Sequence, residues 1–164
     1  MSVWTITTAE RSDPRAVEAV RAILMEYHDE LIAEIGQTTL TAELATLPAP
    51  YLPPDGALLL ARDGCGRPAG CVGIKGLSDT ACEIKRLYVV AGQRGSGLGR
   101  ALVRAAMDQA RGMGYREMLL IAVLHTTAAA QRIYRELGFE VTPRFRDTPL
   151  GHDPAGFLFM RRSL

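Results

Sequence analysis

At 164 residues, 48% apolar and 23% charged, the chain has the size and balance of one globular domain with a substantial core, spanning residues 1–164. A formal charge of +1 supplies no general field for nucleic acid or an anionic membrane, so neither is expected as a partner. No apolar run reaches the roughly 20 residues of a membrane helix, Met1 to Arg11 lacks a signal-peptide pattern, and Cys65, Cys71 and Cys82 show no ligand spacing, which together suit reduced thiols in a cytoplasmic protein.

Val3 to Thr7 alternates as a short strand. Asp13 and Pro14 then read as an N-cap and a first-turn proline, and Val17, Val20, Leu24, Tyr27, Leu31 and Ile35 follow at helical spacing until Gly36. A shorter helix is expected over Thr41 to Leu47, followed by an irregular connection enforced by Pro48, Pro50, Pro53 and Pro54. Ala57–Arg62, Pro68–Leu77 and Ala81–Val90 are apolar runs separated by turn signals, and read as three antiparallel strands.

A glycine-rich turn, Gly92 to Gly99, leads into a helix whose apolar face carries Leu98, Ala101, Leu102, Ala105, Ala106 and Ala110, and which Gly112 and Gly114 stop. Glu117 to Leu124 is a buried strand. Thr126 or Thr127 is placed to cap a last helix with Ala130, Ile133, Tyr134 and Leu137 on its stripe and Gly138 at its end. Phe139–Phe145 and Phe157–Arg161 read as closing strands. The order β-α-α-β-β-β-α-β-α-β-β is one mixed α/β domain of the α+β type, with about six or seven strands and about four helices.

The segment Glu83 to Leu102, E-I-K-R-L-Y-V-V-A-G-Q-R-G-S-G-L-G-R-A-L, runs from strand through turn to helix. Unpartnered amides of a first helical turn, together with the helix dipole, favour an anion, phosphate above all. Gly95, Gly97 and Gly99 allow close approach of a ligand to the backbone, and Arg94 and Arg100 add positive charge. No Lys-Ser or Lys-Thr follows, so the nucleotide P-loop pattern is absent, and the third glycine comes one place too early for a dinucleotide fingerprint. On these residues alone the segment is either a phosphate cradle or a tight strand-to-helix turn.

R-G-S-G-L-G, Arg94 to Gly99, resembles the acyl-CoA signature R/Q-x-x-G-x-G/A of the GNAT superfamily, and A-Q-R-I-Y-R-E-L-G-F, Ala130 to Phe139, is similar to that family's A-x-x-x-Y-x-x-x-G-F element. E-I-K-R-L-Y-V is similar to the same strand in a large group of small bacterial members. The resemblance implies acetyl-CoA as cosubstrate and transfer of its acetyl group to a primary amine, on a small molecule or a protein, by direct attack in a ternary complex. It implies that the amides of Arg94, Gly95, Ser96, Gly97, Leu98, Gly99 and Arg100 hold the pyrophosphate. The backbone of Leu87, Tyr88 and Val89 would pair with the pantetheine arm, the strand at 82–90 would splay from that at 117–124, and Ala130 would line the coenzyme's other side. Dimerisation is common among such folds, and no stripe in the sequence commits this chain to a homodimer.

For catalysis, the match to the family tyrosine makes Tyr134 the candidate general acid, and Val89 occupies the position whose amide serves the oxyanion. Glu83 is the candidate base through water: strict alternation puts it on one face with Lys85, Leu87 and Val89. Cys82, beside Glu83, has no neighbouring histidine, and burial makes a thiol inert. For the acceptor, Tyr27, His125, Arg144 and Arg146 are candidates, the two arginines sharing a face if Phe139–Arg146 is extended. No metal is expected, since His28, His125 and His152 lack ligand spacing. Two other readings stay open: a catalytically degenerate acyl-CoA-binding regulatory module, and a phosphate-loop protein for a different nucleotide.

Overall fold

A computed structural model describes residues 3–124 and 128–164. The elements follow the expected order: β1 (Thr5–Thr8), α1 (Pro14–Ile35), α2 (Leu40–Thr46), β2 (Ala57–Arg62), β3 (Pro68–Gly76), β4 (Ala81–Val89), α3 (Leu98–Gly112), β5 (Glu117–Val123), α4 (Ala128–Glu136), β6 (Glu140–Val141) and β7 (Phe157–Ser163). The seven strands form one mixed sheet in the order β1-β2-β3-β4-β5-β7-β6.

Local chemistry sets the ends of α1. The Asp13 carboxylate accepts from the Ala16 amide, Pro14 opens the first turn, and Gly36, at φ +74°, returns its amide to Ile32. The sheet is covered on both faces, so β2 is apolar at nearly every position instead of alternating. Leu58 and Leu60 face α1 with Val20, Leu24 and Tyr51, whereas Leu59 and Ala61 face α3 with Leu102, Val103 and Ala106.

β4 and β5 run parallel and pair only over Ala81–Glu83 against Glu117–Leu119. Beyond Glu83 the two strands have no ladder between them, so the expected splay is present and begins at that residue. The extended run expected over Phe139–Phe145 is confined to β6, because Pro143 lacks the amide a strand needs and the chain leaves the sheet after Val141. The expected caps Thr126 and Thr127 lie outside the described residues.

Candidate active site

The splay coincides with a bulge. Cys71 faces Tyr88 across β3 and β4, but Gly73 faces Lys85, so β4 carries one residue more than its partner. Arg86 takes up the extra length at φ +60°, a left-handed conformation costly for a side chain of its size. Its guanidinium is fixed from the far side: Nε donates to Glu43 Oε2 (2.8 Å), and Nη2 donates to Glu43 Oε1 (2.8 Å) and the Thr39 hydroxyl (2.7 Å). Lys85 Nζ reaches the same carboxylate at 3.3 Å, and the Tyr51 hydroxyl donates to it at 2.6 Å. The Tyr51 ring packs against Gly73, where a Cβ would come within 2.6 Å of it. Burial alone would raise the Glu43 carboxyl, but the Arg86 hydrogen bonds and charge, with Lys85 and Tyr51, pull it down to about 2.

The bulge corrects the expected parity of β4. Leu87 and Val89 pack on the α3 face with Cys82 and Ile84. Lys85 and Arg86 both turn to α2, and Tyr88 packs against α1. Glu83 therefore shares its side of the sheet with Lys85, Arg86 and Tyr88, not with Leu87 and Val89, because two successive residues of β4 point the same way.

Downstream of the bulge the strand has a free edge. Val90 donates to the Ala69 carbonyl (3.0 Å), so by alternation the backbone of Tyr88 is used by β3 while the amide and carbonyl of Val89, and those of Leu87, turn into the gap towards β5. The Val89 carbonyl accepts from Arg94 Nε at 3.1 Å. Gly95 (φ +77°) and Gly97 (φ +91°) then take left-handed turns that lead into α3. Among the described residues, no protein acceptor takes the amides of Gly95, Gly97, Gly99 and Arg100. The Ser96 hydroxyl is turned inward, donating to the Gln93 carbonyl, and Leu98 is buried beneath the loop. Gly99 has a second duty: a Cβ there would lie 2.9 Å from Ile133 Cδ1, so its bareness lets α4 close on α3.

The two arginines of this loop are already paired. Arg94 Nη2 donates to Glu30 (2.9 Å) and to the Tyr88 hydroxyl (2.9 Å), with the guanidinium 5.2 Å from the Tyr88 ring centroid. Tyr88 also donates to Glu30, at 2.7 Å. Burial and the Glu30 carboxylate push the Tyr88 phenol above its ordinary value. Arg100 forms an ion pair with Glu136 of α4. Both arginines thus brace the loop against helices, and the donors the loop leaves unpaired are backbone amides.

The mouth of the splay opens into a cleft between α1, β4, β5, α4 and the chain before β7. Tyr134 and Ala130 line it from α4, Tyr27 from α1, and Glu83, Lys85 and Arg86 from β4. Tyr134 is buried, edge-on to Phe139 at 5.5 Å, and burial raises its phenol, with a smaller push from Tyr27. Tyr27 stacks on Tyr88 at 5.1 Å. Gln131, which periodicity does not single out, is buried and donates to the Leu124 carbonyl (3.1 Å), tying α4 to the end of β5.

Glu83 is 3% exposed. Arg146 closes on it as a fork, Nε to Oε2 at 3.0 Å and Nη2 to Oε1 at 2.6 Å. Arg144 points elsewhere: it is half exposed and sits 3.7 Å from Asp147. The two arginines do not share a strand face, since residues 142–146 are irregular. His152 Nε2 lies 3.0 Å from the Gln37 carbonyl, joining the C-terminal loop to the turn after α1. His125 lies outside the described residues. Cys71 and Cys82 are buried, and burial with the Glu83 carboxylate pushes the Cys82 thiol up to about 12.

The sequence pattern of the acetyltransferase (GNAT) family matches residues 17–139. The chain belongs to that family. Among GNAT relatives, an uncharacterized N-acetyltransferase of Schizosaccharomyces pombe is 33% identical over 138 residues, 84% of each chain. An uncharacterized N-acetyltransferase of Escherichia coli is 32% identical over 136 residues, 79% of this chain and 77% of its own. The GNAT fold recurs in solved structures. A GNAT-family acetyltransferase from Staphylococcus aureus superposes with a TM-score of 0.78 at 18% identity, covering 99% of both chains. An aminoglycoside 6'-N-acetyltransferase complexed with coenzyme A gives 0.71 at 15%, covering 97% of this chain and 96% of that one. The protein is an N-acetyltransferase by family, and its reaction class is acyl transfer from an acyl-CoA.

Proposed function

We propose that this GNAT protein transfers an acetyl group from acetyl-CoA to a primary amine by direct attack in a ternary complex. The observation that carries the proposal is a pair of unpaired backbone stretches on either side of one turn: the Leu87 edge and Val89 amide at the splay, and the amides of Gly95, Gly97, Gly99 and Arg100 at the start of α3. A ligand with amide groups at one end and a pyrophosphate at the other satisfies both stretches at once.

Acetyl-CoA supplies the acetyl thioester. Glu83, directly or through water, accepts the proton that an ammonium acceptor must lose before its nitrogen attacks the carbonyl carbon. The Val89 amide donates to the carbonyl oxygen as negative charge builds there. As the carbon–sulfur bond breaks, Tyr134 gives its phenolic proton to the sulfur, and one of the two protons on the attacking nitrogen passes through water to the phenolate, leaving the other on the amide. The balance is an amide, free coenzyme A and one proton released from the original ammonium. Raised by burial, the Tyr134 phenol keeps its proton throughout the working range and is available as an acid.

Titration calorimetry with acetyl-CoA, with ATP and NAD as controls, tests the coenzyme assignment. Selective micromolar binding is expected. Binding of ATP or NAD in its place points to another nucleotide, and binding of acetyl-CoA with no free thiol released over a broad amine panel points to a regulatory binding module.

A further inference from the structure

The acceptor end of the cleft carries more positive than negative charge. Three cations, Lys85, Arg86 and Arg146, meet two carboxylates, Glu43 and Glu83. Glu43 already accepts from Arg86 twice, from Tyr51 and from Lys85, which fills its acceptor sites. The Lys85 ammonium has three donors and, among the described residues, this single long contact at 3.3 Å, although its side chain is only 14% exposed. A cation so enclosed and so thinly partnered is a donor awaiting an anion. Arg86 offers no alternative, since Glu43 and Thr39 hold its fork.

Lys85 and Glu83 are two positions apart on the same side of β4, about 7 Å along the strand. That spacing suits an ammonium and a carboxylate borne by one small molecule. Resting on the acetyl-CoA-dependent reading above, we propose that the acceptor is a small carboxylate-bearing amine, an amino acid or close analogue, whose carboxylate binds Lys85 and draws Arg146 off Glu83. The Arg146 fork then grips the acceptor in place of Glu83, and the released Glu83 oxygens face the ammonium. The base is masked until the correct acceptor arrives, so recognition and proton removal are one event.

The experiment is steady-state kinetics, read as thiol release, on paired acceptors: free amino acids, their carboxamides and the corresponding amines without the carboxyl group. Acetyl-CoA affinity is measured separately by calorimetry. The acids are expected to exceed their carboxamides in kcat/KM by on the order of 10²-fold, since a site built for an anion rejects the neutral isostere. K85M should collapse that ratio towards one through a rise in KM, with acetyl-CoA affinity kept within about twofold and K85R restoring most of the preference. Retained coenzyme affinity also shows that each variant is folded. If acetyl-CoA binds but carboxamides or uncharged amines react as well as the acids, or no member of the panel reacts, the inference is overturned and the coenzyme assignment stands. If acetyl-CoA does not bind, the functional reading and this inference fall together.

Discussion

Arg146 holds both carboxylate oxygens of Glu83 across 63 residues of chain, joining an irregular C-terminal segment to the last residue of β4 that pairs with β5. The pair closes the point where the sheet begins to splay, so its state decides whether a carboxylate faces the cleft. Glu83→Gln keeps the shape and half of the acceptor capacity but cannot take a proton. Turnover should fall about 10²–10⁴-fold while acetyl-CoA affinity holds. Equal turnover in a folded E83Q protein, measured by thiol release, would show that solvent or the acceptor itself handles the proton.

Tyr134→Phe removes one hydroxyl from a buried ring and leaves the edge contact with Phe139 in place. We expect kcat to drop about 10²-fold with little change in coenzyme affinity or melting temperature. Because burial raises the Tyr134 phenol above its ordinary value of 10.0, its loss of a proton should not limit turnover below about pH 10. A kcat–pH profile with an alkaline limb near neutrality that vanishes in Y134F would contradict this.

Gly97 and Gly99 should fail in different ways. Gly97 sits at φ +91° with nothing nearer to a built Cβ than Trp4 at 3.7 Å, so Gly97→Val strains the loop by about 1–3 kcal/mol and redirects its amides. Coenzyme binding should be lost in a protein that still folds. Gly99→Val instead drives a side chain into Ile133, and the expected loss is thermal stability first, seen by calorimetric melting. Normal acetyl-CoA affinity in G97V would refute the cradle.

Glu43 makes the α2–β4 contact acid-sensitive. Its carboxyl is held at about 2 in the folded protein against an ordinary value of 4.5. A depressed folded value contributes stability that is complete above the unfolded value and disappears as pH falls through 4.5 towards 2. The difference corresponds to roughly 3 kcal/mol. Urea unfolding should therefore show a steep fall in stability over that window, and E43Q should be less stable at pH 7 with a flatter acid limb. A wild-type profile with no slope there would mean that the Arg86–Glu43 pair adds nothing.

Element order and the glycine loop were legible because each is written locally: Asp13-Pro14, Gly36 and Gly138 mark helix ends, and Gly95 and Gly97 do adopt the left-handed turns their spacing suggests. The partners of Glu83, Arg94 and Arg100 were not, since each is supplied by a side chain 36 to 64 residues away. The parity of β4 had a local sign. Adjacent Lys85 and Arg86 inside an apolar strand cannot both alternate in a sheet covered on two faces, and a bulge resolves the conflict. Pro143 likewise announced that a long strand after Phe139 would not form.

The extra residue at Arg86 divides β4 into two stretches with separate duties. Glu83, Lys85 and Arg86 line the side of the cleft proposed for the acceptor, while Leu87 and Val89 present the edge proposed for the coenzyme. Selectivity can be rewritten on the first stretch without disturbing the second. A library randomised at positions 85 and 146, with Glu83 kept as the base, would explore new acceptors against a constant donor site, which makes this strand a natural graft point for redesign.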